Sequence, residues 1–231
     1  MSLIHISDIA YKEIRQQIEA DGHILVPQKP SAAVSEPISM HPDIFMCKLG
    51  SSPKSPVFHG NADNLSSVYP GDVPYNAVIT EKYIICNKNT VNTDLIGAAT
   101  SLYPEIEMIC VKQGYTKCNI IVVDENSFIT EDVGIFKAIE QYRIQKKRSR
   151  KNFKLPECLL VREGHVRLSG YNRGFIGGCS GRIGDTIWFN GDIYMHPDHE
   201  SIISFIEKRG IAIKSIKNKP LIDIGSIIEE Q

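Results

Sequence analysis

Along much of the chain, short apolar runs come in pairs. Each pair is opened by a small, amide or acidic residue and divided by a polar turn. Asn76-Ala-Val-Ile-Thr-Glu81 is followed by Tyr83-Ile-Ile-Cys86, and Asn119-Ile-Ile-Val-Val-Asp124 by Phe128-Ile-Thr130. Ser180-Gly-Arg-Ile-Gly-Asp185 precedes Ile187-Trp-Phe189. A looser copy starts at Asp43 with Ile44-Phe-Met46, and a truncated one near Ser226 with Ile227-Ile228. Short runs rich in β-branched and aromatic residues, split by a turn, predict β-hairpins.

The order of elements after each hairpin is also regular. A hairpin over 76–86 precedes a helix over 93–102 and a strand over 106–111. One over 119–130 precedes a helix over 132–146 and a strand over 158–162. A third, over 180–190, precedes a helix over 198–208 and a strand over 211–216. The unit is hairpin, helix, strand, and self-similarity on this scale predicts copies stacked on one another. Near the N-terminus, Ile9, Ile14 and Ile18 predict a helix over 7–20 capped by Ser7, and Ile24-Leu-Val26 predicts a strand. These two look like the end of a unit whose hairpin lies at the C-terminus. Joining the chain ends would close a ring and remove exposed sheet edges. The expectation is therefore one α/β domain over residues 1–231, with five units around an axis. A doubly wound parallel sheet is the alternative. It fits the hairpins less well, and no G-x-G-x-x-G turn comes after a strand. Residues 28–37 read as a loop. Residues 50–74, rich in Ser, Pro, Gly and Asn, read as a long loop, either a tolerated insertion or a lid over a site.

Composition adds bounds. With 42% hydrophobic and 23% charged residues and a net charge of −1, nothing points to nucleic acid or a membrane surface. No apolar stretch is long enough for a spanning helix, and Met1–Asp8 lacks the pattern of a secretory signal. The six cysteines, Cys47, Cys86, Cys110, Cys118, Cys158 and Cys179, form no C-x-x-C pair. That favours a reducing, cytoplasmic setting without a zinc site. The basic run Lys146–Lys151 reads as a solvated helix end. His196-Pro-Asp-His199 reads as a helix start rather than a metal pair. The glycine-dense stretch Phe175–Gly184 lacks the ending of a P-loop. Gly177, Gly178 and Gly181 would let backbone approach backbone, or a ligand, without a Cβ between them.

Candidate chemistry comes from the repeat register. In a closed ring, equivalent positions face the same axis. Cys118 and Cys179 immediately precede the anchor residues Asn119 and Ser180, and Pro42 and Tyr75 take the same place elsewhere. The ring would then gather His41, Asp43, Asn76, Cys118, Asn119, Cys179 and Asp223 around one central cavity for a small-molecule ligand. A thiol, an imidazole and carboxylates are the parts of nucleophilic catalysis on a cationic substrate. The plainer reading of Cys118 is a small buried filler beside a polar knot. His165, in Glu163-Gly-His-Val-Arg-Leu168, is either a general base or a loop histidine. A one-residue slip of register would turn Cys118 away from the axis.

Five hairpin-helix-strand units resemble the pentein fold, the α/β-propeller of arginine deiminases, dimethylarginine hydrolases and amidinotransferases. The segments Gly114-Tyr-Thr-Lys-Cys-Asn119, Gly174-Phe-Ile-Gly-Gly178 and Leu221-Ile-Asp-Ile-Gly225 look closest to a bacterial branch of that superfamily without an assigned activity. The resemblance implies a cysteine that attacks a guanidinium or amidine carbon, an assisting histidine, acidic residues on the substrate nitrogens, and no cofactor. His165 resembles the family histidine, at the head of an H-x-x-L segment. The cysteine of the last unit is missing, because the end reads Asp223-Ile-Gly-Ser-Ile-Ile228. The acidic Gly-Gly-Asp motif is missing too, since Gly177-Gly178 is followed by Cys179. A relocated nucleophile would be Cys118 or Cys179, with His41 or His165 as base and Asp43 with Asp223 as cation grip. Some proteins that this chain resembles catalyse nothing, so a binding module for a small ligand or a protein is the second expectation.

Overall fold

In the computed structural model, which describes residues 1–147 and 154–231, the apolar runs pair into small sheets. Strand β1 (Leu3–Ser7), helix α1 (Lys12–Ala20) and strand β2 (Ile24–Gln28) open the chain. A one-turn helix α2 (Pro42–Phe45) leads into β3 (Met46–Lys48) and β4 (Val57–His59). Then come β5 (Val78–Ile79), β6 (Tyr83–Cys86), α3 (Thr93–Leu102) and β7 (Glu107–Cys110). They are followed by β8 (Ile120–Asp124), β9 (Ser127–Thr130), α4 (Val133–Lys147) and β10 (Glu157–Leu160). After β11 (Val166–Arg167) stand β12 (Ser180–Ile183), β13 (Thr186–Phe189), α5 (His199–Glu207) and β14 (Ala212–Ser215). Strands β15 (Leu221–Ile222) and β16 (Ile228–Glu230) end it.

Three sheets share one topology. In β5-β6-β7, β8-β9-β10 and β12-β13-β14, the first strand is antiparallel to the second and the second parallel to the third. A helix makes each parallel crossover, as parallel pairing requires. A fourth sheet has the same order but is assembled from both chain ends. In it β16 is antiparallel to β1, and β1 is parallel to β2 across α1. The hairpin β3-β4 carries no third strand among the described residues, and β11 pairs in parallel with β15.

Each crossover helix buries a pair of residues four apart: Ile14 and Ile18, Leu95 and Ala99, Ile135 and Ile139, Ile202 and Ile206. That spacing puts both on one face. The apolar clusters run across neighbouring sheets. Ile135 and Ile139 meet Phe128 of their own sheet and Ile85 and Ile109 of the preceding one. Ile202 and Ile206 join Ile187 and Phe189 to Ile121 and Ile129. First strands also meet: β3 lies against β5 and β16, and β12 against β8 and β16.

Several expectations need correction. Residues 3–7, to which the sequence pattern assigns no element beyond the Ser7 cap, form a strand, because alternate residues Ile4 and Ile6 both reach the core. The first helix therefore starts at Lys12, with Tyr11 rather than Ser7 at its cap. The hairpin of the closing unit is split between the two ends instead of lying wholly at the C-terminus. The long loop 50–74 contains β4, and Asp43 sits in α2 rather than in a strand. Separate small sheets replace any single doubly wound sheet among the described residues. Lys146 and Lys147 end α4, and the rest of the basic run lies outside the described residues. No described helix is long and apolar enough to cross a membrane.

Candidate active site

The loops that lead into the first strands converge on one buried knot. Asn76 ties three segments together. Its Oδ1 accepts from the backbone N–H groups of Lys117 (2.8 Å) and Cys118 (3.2 Å). Its Nδ2 donates to the Asp43 carbonyl (3.2 Å) and to Cys118 Sγ (3.2 Å). The Cys118 thiol donates in turn to Asp43 Oδ2 at 3.1 Å. The same oxygen accepts from Ser226 Oγ at 2.7 Å, and Lys117 Nζ donates to that hydroxyl at 2.9 Å.

The chain end is shaped to reach this knot. Gly225 has φ +70°, and a Cβ there would lie 2.1 Å from His41 Cβ. Ser226 comes next at φ +69°, a left-handed conformation that costs a non-glycine residue of order 1 kcal/mol or more. Its hydroxyl bonds to Asp43 and Lys117 hold it there. The Asp223 carboxylate accepts from the backbone N–H groups of Phe175 (2.9 Å) and Gly225 (3.0 Å). A Cβ on Gly178 would stand 2.0 Å from Asp223 Oδ1, so only glycine leaves room for the carboxylate. His41 Nδ1 lies 3.8 Å from that oxygen.

A pocket opens onto this knot. Its wall includes His41, Cys118 and Asp223 with Tyr115, Tyr171, Phe175 and Arg173. Tyr115 and Phe175 have ring centroids 6.2 Å apart, and Tyr69 stacks on Tyr115 at 6.0 Å. The Tyr115 phenol donates to Asp72, so the 50–74 segment braces one pocket wall. Arg173 pairs with Glu163. A second cavity is lined by Lys117, Lys48, Arg182 and Ile227, among others.

Burial dominates the electrostatics. It pushes the Asp223 carboxyl up to about 6 and the Asp43 carboxyl above its usual range, although His41 and Lys117 pull Asp43 back. Burial brings His41 down to about 4, so its imidazole is neutral near pH 7. The Cys118 thiol is held well above the ordinary thiol range by burial, then by the negative charges of Asp43 and Asp223. Within the knot, Asp43 Oδ1 and His41 Nε2 are buried without a hydrogen-bond partner. Such atoms are costly unless a ligand or water satisfies them. A planar cation would supply N–H donors to the carboxylates and offset the charge that keeps the thiol protonated. Donor atoms of His41, Asp43 and Cys118 also lie within 4.8 Å of one another, a set chemically suited to a soft divalent metal.

Five of the expected residues thus come together: His41, Asp43, Asn76, Cys118 and Asp223. Three do not. Asn119 points its amide back to the Tyr115 carbonyl (2.9 Å) and ties its own turn. Cys179 turns into the apolar cluster of Ile187 and Phe189, with its thiol on the Ile176 carbonyl (3.2 Å). His165 is exposed, packs edge-on against His196 and lies outside the pocket wall. His196 and His199 make local contacts at the start of α5, where His196 Nδ1 accepts from the Asp198 N–H. Sequence reasoning missed Ser226 and Lys117 as members of the knot. It also missed Glu131, a buried carboxyl that burial pushes up to about 7, with Arg173 and Asp223 as opposing influences.

Fold and site define an α/β protein with a thiol, an imidazole and two carboxylates buried at the foot of an aromatic pocket. The chain belongs to a family of unknown function, DUF6873, whose match covers residues 5–228 and so every residue of the knot. No curated protein matches it.

Proposed function

We propose that this is a cysteine-dependent hydrolase or transferase of pentein-like five-unit propeller architecture that acts on a guanidino or amidine-like small molecule. The observation that carries the reading is Cys118 Sγ at 3.1 Å from Asp43, beside an unpartnered carboxylate oxygen and an unpartnered imidazole nitrogen. The planar cation lies between Asp43 and Asp223, with Tyr115 and Phe175 against its face. Its charge lowers the thiol's pKa, and His41 Nε2 takes the thiol proton. Sγ then bonds to the central carbon while the C=N pair moves onto nitrogen. The departing amine takes the proton from His41, and water or an acceptor amine releases the thiol. Cys118 is the nucleophile and His41 the base; Asn76 is a positioning residue. The reducing interior of a cell would keep the thiol free, and no cofactor enters these steps.

A second reading is a binding module that holds the same cation without turnover. The high thiol pKa in the absence of a cation favours it. Labelling at neutral pH separates the two. A cationic amidine alkylator is expected to capture Cys118 faster than a neutral alkylator of equal size, and Asp223→Asn should remove the preference. Cys110 is exposed and should react with both. Equal, slow labelling of Cys118 by the two reagents would sink the enzyme reading.

A further inference from the structure

We propose that His5, His59 and Glu230 form a binding site for one divalent transition-metal ion of the zinc class. The three residues come from distant parts of the chain: His5 from β1, His59 from the end of β4 and Glu230 from the end of β16. His5 Nε2 lies 2.6 Å from Glu230 Oε2, and His59 Nε2 lies 2.8 Å from Glu230 Oε1. One donor atom from each lies within 4.8 Å of the others, and the two rings meet edge-on at 5.7 Å.

Two imidazole nitrogens and a carboxylate are the ligand set of open zinc sites, which leave a fourth position for water. Metal–donor bonds of about 2.0–2.2 Å in a tetrahedron put the donors about 3.3 Å apart. Reaching that geometry opens the two histidine–glutamate contacts, 2.6 and 2.8 Å, by about half an ångström or more. Each imidazole must also present a lone pair at Nε2, a change of tautomer. Entry is open on one side, because the His59 side chain is 53% exposed while that of His5 is only 9% exposed. The neighbouring Glu229 is committed elsewhere. It accepts from Ser2 Oγ at 2.9 Å and pairs with Lys48 at 3.4 Å. Alternation along β16 therefore sends one carboxylate inward and offers the next to the histidines. A bound ion would clamp the β3-β4 hairpin to the sheet made from the two chain ends. The site does not depend on the function proposed above.

Cobalt(II) titration of the full chain, followed by absorption spectroscopy, tests the site. One equivalent should bind with ligand-field bands and no thiolate charge-transfer band. Zinc should displace it, and magnesium should not. His59→Gln alters an exposed side chain and should keep the fold by circular dichroism while weakening cobalt binding by more than about tenfold. Glu230→Gln should act in the same direction, and Cys118→Ser should leave cobalt binding at this site unaltered. Absence of saturable one-to-one binding, or binding indifferent to His59→Gln, overturns the proposal. A thiolate band lost in Cys118→Ser overturns it as well, by placing the metal at the buried knot.

Discussion

Asp43 Oδ2 accepts from a thiol and a hydroxyl while its sister oxygen faces no donor. Around it, two groups titrate in one pH range with opposite effects on stability. The folded Asp223 carboxyl titrates at about 6 against an ordinary 3.8. Between those values the folded state holds a proton that the unfolded state has lost, so raising pH through this window destabilises the protein, by roughly 3 kcal/mol in full. His41 goes from 6.5 down to about 4. There the unfolded state holds the extra proton, so raising pH stabilises the fold over almost the same window. Urea midpoints from pH 4 to 7 should show the pair separating. Asp223→Asn should tilt the profile toward rising stability with pH, and His41→Asn toward falling stability. Profiles parallel to that of the unaltered protein would show that neither group titrates there. The gathering of His41, Asp43, Asn76 and Cys118 was legible because each stands at or beside the start of an apolar pair. Ser226 was an anchor of the same kind and was passed over for Asp223. The aromatic wall was illegible, because the placement of Tyr115 and Phe175 depends on turns that periodicity does not encode.

The glycine stretch before β12 was an open question in the sequence, and the structure answers it by close packing. A Cβ on Gly177 would lie 2.5 Å from the carbonyl oxygens of Lys117 and Ile120, and one on Gly181 would lie 2.0 Å from that of Ile227. These glycines let the segment before β12, and β12 itself, press against β8 and the chain end. Gly177→Ala should therefore destabilise the fold by about 1–3 kcal/mol, as overpacking does, with a clear fall in melting temperature. An unchanged melting temperature would mean that the backbone yields. Three of the four crossover helices were the easiest elements to foresee; α3 spans Thr93–Leu102, the range expected of it, with the Asn92 side chain at its cap. The strand β1 was the hardest. Its alternation is short and ends at Ser7, the residue read as a helix cap, so no element was assigned to it.

At the scale of the molecule, the pairing of Leu3 with Glu230 and of His5 with Ile228 places the two ends side by side. A circular permutant that links Gln231 to Met1 by a short flexible linker and opens between the exposed Lys88 and Asn89 should fold with little loss of stability. Deleting residues 228–231 should unfold the terminal sheet, because β1 would lose a partner and the knot would lose its tether. Equal melting temperatures for the deletion and the full chain would refute that dependence. The joining of the two ends in one sheet was legible from the incomplete unit at each terminus, though not the split of one hairpin between them. It also sets a timetable for synthesis. The strand β1 is made with an unpaired edge, and its antiparallel partner β16 follows more than two hundred residues later. At about 5–20 residues per second the wait is on the order of ten to forty seconds. Through that interval the apolar Ile4 and Ile6 lack their completed sheet, and an open edge invites pairing with other chains. Nascent chains of this protein should thus lean on chaperones at β1 more than at β16.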